Sequence, residues 1–138
     1  MFTVLAELNW LAVLVSVVAW VVIGGVYFGA IIAKPYAVAL GRQDAPKSKP
    51  PAITFVGPMV TGVVMVVTSA VLIRALGIDA LGDAIAFGLI VGIGYLAAMT
   101  VTIAINPNFP RPLLYAAINA PGFVLSSVVV SIILGLWR

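Results

Sequence analysis

Asp79 and Asp83 stand four residues apart and are the only paired acids in the chain. Two carboxylates on one helix face can hold a cation or share acid–base work. That face exists only if the helix begins at or before Asp79. The plainer role is capping, because an Asp at a helix start accepts from unpaired backbone N–H groups and its charge suits the positive end of the helix. The rest of the catalytic inventory is nearly empty. The sequence has no histidine and no cysteine, so it lacks the commonest general base and metal ligand as well as any thiolate. No catalytic residue, cofactor-binding residue or metal ligand is assigned, no cofactor is expected, and the chain is read as a non-enzyme.

The uncharged polar residues are the remaining candidates. Asn119 lies two residues before Pro121. An amide inside an apolar helix needs a partner. One partner is a carbonyl freed by Pro121, which has no N–H to offer it. The other is a polar pocket shared with Asn9, Thr61, Thr68, Ser69 and Ser126. Trp20, Tyr27, Phe28 and Tyr95 lie deep in apolar segments, where they either pack or line a site for a lipid tail, quinone or carotenoid.

The elements that must position these groups follow from composition. Of 138 residues, 64% are hydrophobic and 8% charged. A soluble domain is about half apolar and a quarter charged, so the chain is read as an integral membrane protein. A spanning helix takes about 20 residues, which allows four spans with short loops. They are expected at about 8–33, 53–76, 84–105 and 113–137. The first lacks the basic start and short apolar stretch of a signal peptide, so it is read as a retained helix. Residues 41–52, GRQDAPKSKPPA, form the one strongly polar loop. Gly77 suits a helix C-cap. Pro107, Pro110 and Pro112 force a turn between spans 3 and 4. The expected architecture is all-α: a single transmembrane domain over 1–138, folded as a four-helix antiparallel up-down bundle.

No ionisable residue falls near the middle of a span. Glu7, Lys34, Arg74 and Arg138 sit at span ends, where long side chains reach water. Ion-coupled transporters generally use an intramembrane titratable group, so the placement argues against that class. The loop side containing Lys34, Arg42, Lys47, Lys49 and Arg111 carries five basic residues against two, Arg74 and Arg138, on the other. The excess marks the 34–52 loop as cytoplasmic and both termini as outside. A basic surface large enough for nucleic acid is missing.

Helices in lipid associate through close packing, so small residues mark their interfaces. Span 1 offers Gly25 and Gly29, span 2 Gly57 and Thr61, span 3 Gly88 and Gly92, and span 4 Ser127, Ser131 and Gly135. These faces serve either packing within one chain or dimerisation through one G-x-x-x-G face. Trp10, Tyr36, Tyr115 and Trp137 fall near span ends, as an interfacial aromatic belt requires.

The stretch Asn9-Trp10-Leu11-Ala12-Val13-Leu14-Val15, followed by Gly24-Gly25-Val26-Tyr27-Phe28, resembles the start of a membrane family catalogued as domain of unknown function 1761. The segment from Tyr115-Ala116-Ala117-Ile118-Asn119-Ala120 to Ile132-Ile133-Leu134-Gly135-Leu136-Trp137 looks like that family's last helix. The resemblance implies a mainly bacterial protein with four spans and no established activity. Relatives often carry Gly-Tyr-His where this chain has Pro121-Gly122-Phe123, so a histidine-based role does not transfer.

The favoured expectation is a non-catalytic multi-pass protein of the bacterial inner membrane. It would act by association, as a homo-oligomer or as an accessory subunit of a larger membrane complex. The alternatives are an oligomeric carrier or channel for a small neutral solute and a lipid-, quinone- or pigment-binding protein. Membrane lipid is the one partner that composition requires.

Overall fold

The computed structural model describes residues 2–46 and 49–137. Lys47 and Arg138, both used in the charge count, lie outside the described residues. The fold is all-helical, and no strand occurs among the described residues. A 3-10 turn, Phe2–Glu7, precedes α1 (Trp10–Val26), α2 (Ala33–Ala39), α3 (Ile53–Leu76), α4 (Leu81–Val91), α5 (Ala98–Ala104) and α6 (Pro112–Leu136). π-helical turns at Tyr27–Ile31 and Gly92–Ala97 extend α1 and join α4 to α5. The result is four continuous apolar helices: span 1 (Trp10–Ile31), span 2 (Ile53–Leu76), span 3 (Leu81–Ala104) and span 4 (Pro112–Leu136). At 22 to 25 residues, each is long and apolar enough to cross a bilayer.

The helix ends follow local chemistry. Asn9 precedes the first apolar run, and its Oδ1 accepts from the N–H groups of Leu11 and Ala12, each at 3.1 Å. It caps span 1 rather than joining a polar pocket. Gly77 ends span 2 at φ 67°, in the left-handed region that glycine reaches without penalty. Span 3 begins at Leu81, three residues earlier than expected. Ala80, not Asp83 or Asp79, occupies its N-cap position, and its side chain makes no capping bond. Asp83 falls inside the first turn, where its charge still favours the positive end of the helix. Asp79 precedes the helix, so the two acids do not share a helix face.

Span 4 is the central helix. It packs along span 3, touches span 1 over much of its length and meets span 2. Spans 3 and 4 run antiparallel: Ala84 meets Gly135, Gly88 meets Val128, and Gly92 meets Val124. Spans 1 and 2 run antiparallel as well, with Trp20 on Gly62 and Glu7 bonded to Arg74. Spans 2 and 3 make little or no close contact. The apolar core lies toward the Glu7 end and includes Leu8, Ala12, Val66, Ala70, Ile73, Phe87, Val130 and Leu134.

Candidate functional site

The gap between spans 2 and 3 is a lateral cleft of about 290 Å³. Val64, Thr68, Ser69 and Leu72 form the span 2 wall, and Val91, Tyr95 and Leu96 form the span 3 wall. Trp20 of span 1 and Ser127 and Val130 of span 4 supply its floor. The cleft exists because the aromatic and glycine positions pair as they do. Gly62 receives the Trp20 indole so closely that a Cβ there would stand 2.5 Å from a ring atom. This holds span 2 against span 1. Gly88 and Gly92 let span 3 approach span 4 to backbone distance, where a Cβ at Gly88 would stand 2.6 Å from Val128 Cα. Spans 2 and 3 are thus each drawn onto another helix and away from one another. The cleft carries no charged side chain, and Tyr95 on its edge is 70% exposed.

A second cavity, of about 250 Å³, opens at the end of the bundle between spans 1, 2 and 4. Glu7, Asn9, Arg74 and Trp137 border it above buried apolar side chains. Arg74 donates to Glu7 at 3.1 Å.

The sequence-derived polar set is divided between these places. Thr68 and Ser69 meet at the lateral cleft, and Asn9 borders the end cavity. Thr61, Asn119 and Ser126 line neither cavity. Each bonds a carbonyl of its own helix: Thr61 to Gly57 at 3.1 Å, Asn119 Nδ2 to Tyr115 at 2.6 Å and Ser126 to Gly122 at 2.9 Å. Thr68 likewise donates to Val64 at 2.8 Å. Serine and threonine routinely bond the carbonyl four residues back in helices, so the polar pocket is broken up one helix at a time. The carbonyl that loses its donor to Pro121 is that of Ala117, not the Tyr115 oxygen that Asn119 reaches. Instead Tyr27 comes from span 1 to donate to Ile118 at 2.9 Å, in the same turn.

The small residues divide in a similar way. Gly88, Gly92, Ser127, Ser131 and Gly135 are buried between spans 3 and 4. Gly25 and Gly29 are exposed, and nothing stands within 4 Å of where a Cβ would sit at either. A Cβ at Gly57 would meet only Ile53 of its own helix, and Thr61 is exposed. Among the described residues, then, no side chain of another helix stands where a Cβ would sit at Gly25, Gly29 or Gly57, and the bonds of Thr61 are to its own helix. At Gly62 and Gly122 a ring of span 1 does, and sequence reasoning passed over both.

The aromatics form a chain rather than a belt at the end that carries Lys34. Phe28, Tyr36, Tyr115 and Phe109 succeed one another with ring centroids 6.3, 5.7 and 4.6 Å apart. Trp10 and Trp137 remain 55% and 42% exposed, as interfacial side chains would be. No group of three or more Asp, Glu, His or Cys suited to a metal occurs among the described residues.

Residues 11–135 match the family model described as Protein of unknown function (DUF1761). The chain belongs to this family. The match extends from the first turn of span 1 to the last turn of span 4, so it takes in the four helices and the whole lining of the lateral cleft of this DUF1761 member, while Glu7, Leu8, Asn9 and Trp137 of the end cavity fall outside it. Nothing among curated proteins or solved structures matches the chain.

Proposed function

We propose that this DUF1761 member is a non-catalytic integral membrane protein that works by association, with itself or as an accessory subunit of a larger membrane assembly. The observation that carries the reading is the contrast between two identical spacings. Gly88 and Gly92 are filled by span 4, whereas Gly25 and Gly29 face outward with nothing upon them. A bare small-residue face lets a second helix approach closely in lipid. The orientation, with the 34–52 loop cytoplasmic, rests on the excess of Lys and Arg in that loop and beside span 4, and the bacterial inner membrane on the resemblance to a mainly bacterial family. Blue native gels of gently solubilised membranes test the association. Wild type should migrate as an oligomer, and Gly25→Leu with Gly29→Leu should shift it to a smaller species. A monomer at every detergent level, or an oligomer indifferent to both substitutions, sinks the reading. A Thr3→Cys variant probed with an impermeant thiol reagent tests the orientation, which fails if labelling needs lysis.

A second reading, a binder of a lipid tail, quinone or pigment, is favoured by the lateral cleft, where Trp20 and Tyr95 flank the hydroxyl-bearing Thr68, Ser69 and Ser127. Mass spectrometry of co-purified small molecules, lost on Trp20→Ala, tests it. The carrier reading needs polar groups turned to a shared path, and Thr61, Asn119 and Ser126 are engaged within their own helices.

A further inference from the structure

The end cavity combines two chemistries that the rest of the molecule keeps apart. Its floor is apolar and buried: Ala12, Val13, Ala70, Ile73 and Leu134. Its mouth holds one acid and one base, Glu7 and Arg74, 3.1 Å apart and 56% and 39% exposed. A pair so open to solvent contributes little to stability, so folding gives a weak reason for the two charges to meet there. Arg74 engages Glu7 through Nη2. A guanidinium has five N–H donors, and the contact with Glu7 uses Nη2 alone. Trp137 borders the same mouth, and a half-exposed tryptophan at a span end marks headgroup depth. At about 250 Å³ the cavity is below the roughly 300–1,000 Å³ of sites that enclose a drug-sized ligand. It seats part of a chain, with the remainder outside.

We propose that this cavity is a binding site for a zwitterionic phospholipid of the phosphoethanolamine class. An acyl segment occupies the apolar floor. The phosphate takes Arg74 donors that Glu7 does not use, for which guanidinium geometry is suited, and the ammonium donates to the Glu7 carboxylate. An anionic headgroup without an amine meets Arg74 but is repelled by Glu7. A choline headgroup has no N–H to give to the carboxylate. The site is independent of the association reading, since it uses neither Gly25 nor Gly29.

The test is native mass spectrometry of the full chain, stripped of lipid in detergent and titrated with dioleoyl phosphatidylethanolamine, phosphatidylcholine or phosphatidylglycerol. Wild type should retain the ethanolamine lipid about fivefold better than the other two, the upper end for an exposed charge pair. Glu7→Gln should raise phosphatidylglycerol to at least the ethanolamine level, and Arg74→Gln should abolish the preference. Glu7 lies outside the four spans, so Glu7→Gln decides the matter even if Arg74→Gln does not fold. Equal retention of the three lipids, unchanged by Glu7→Gln, overturns the site. Displacement of the lipid by inorganic phosphate alone would assign the mouth to free phosphate and overturn the lipid as its ligand.

Discussion

The ring of Tyr27 lies on Gly122, and its hydroxyl donates to the Ile118 carbonyl one turn earlier at 2.9 Å. A Cβ at Gly122 would stand 2.5 Å from the ring. One side chain of span 1 thus fills the notch beside Pro121 and bonds a backbone oxygen in the turn where the proline interrupts the ladder. The two contributions are separable. Tyr27→Phe keeps the ring and loses only the bond, so it should destabilise by about 0.6 kcal/mol, the average for interhelical bonds in membranes. Gly122→Ala forces the ring out and should cost about 1–3 kcal/mol, as overpacking does. Thermal unfolding in a fixed detergent should rank wild type, Tyr27→Phe and Gly122→Ala in that order. Equal melting temperatures for wild type and Gly122→Ala would refute the contact.

Span 3 offers a comparison within one helix. A Cβ at Gly88 would stand 2.6 Å from Val128 Cα, with backbone rather than a flexible side chain in the way, whereas nothing lies within 4 Å at Gly94. Gly88→Ala must therefore push spans 3 and 4 apart and should lose about 1–3 kcal/mol. Gly94→Ala removes only the entropic cost of glycine in a helix and should be neutral or gain up to about 1 kcal/mol. Opposite signs on unfolding in detergent are the expected result. A similar loss at both positions would mean that helix flexibility, not the span 3–span 4 approach, is what the glycines supply.

That comparison also shows where sequence reasoning reaches its limit. The four spans were legible because hydropathy and length act along one helix and need no partner. Asn9 carried a readable signal too, since an Asn directly before an apolar run is a start signal, and it caps span 1 rather than sharing the polar pocket that its side chain also suggested. The glycines are different. Gly25 with Gly29 and Gly88 with Gly92 have one spacing and opposite fates, because spacing fixes which residues share a face and not which neighbour meets it. Gly62 and Gly122 work through Trp20 and Tyr27, and pairing a notch on one helix with a ring on another is a tertiary fact. The lateral cleft was invisible for the same reason: it is the place where two helices fail to meet.

Ser16 supplies a third expectation. It is fully buried on span 1, and its Oγ has no hydrogen-bond partner among the described residues. Ser126 and Ser131, equally buried, both bond carbonyls of their own helix. A buried hydroxyl without a partner costs about 1–3 kcal/mol by mutational measures. Ser16→Ala should therefore be neutral or raise the melting temperature, while Ser131→Ala should not. A clear loss on Ser16→Ala would show that the hydroxyl has a partner in the membrane, such as an ordered water or a bound molecule.

Trp20 joins packing to the cleft. Its indole sits on Gly62 and at the same time forms part of the cleft floor. Gly62→Ala removes the space under the ring, since a Cβ would stand 2.5 Å from one of its atoms. Either the ring turns into the cleft or span 2 moves off span 1, and both changes expose the indole to lipid. With Trp10→Phe and Trp137→Phe as background, Trp20 is the only tryptophan, and its quenching by lipids brominated along the acyl chain reports that exposure. Quenching should rise in Gly62→Ala and stay unchanged in Gly57→Ala, where a Cβ meets only Ile53 at 3.9 Å. A rise in both variants would indicate general loosening of span 2, and no rise in either would mean that Trp20 already faces lipid and the notch at Gly62 does not hold it.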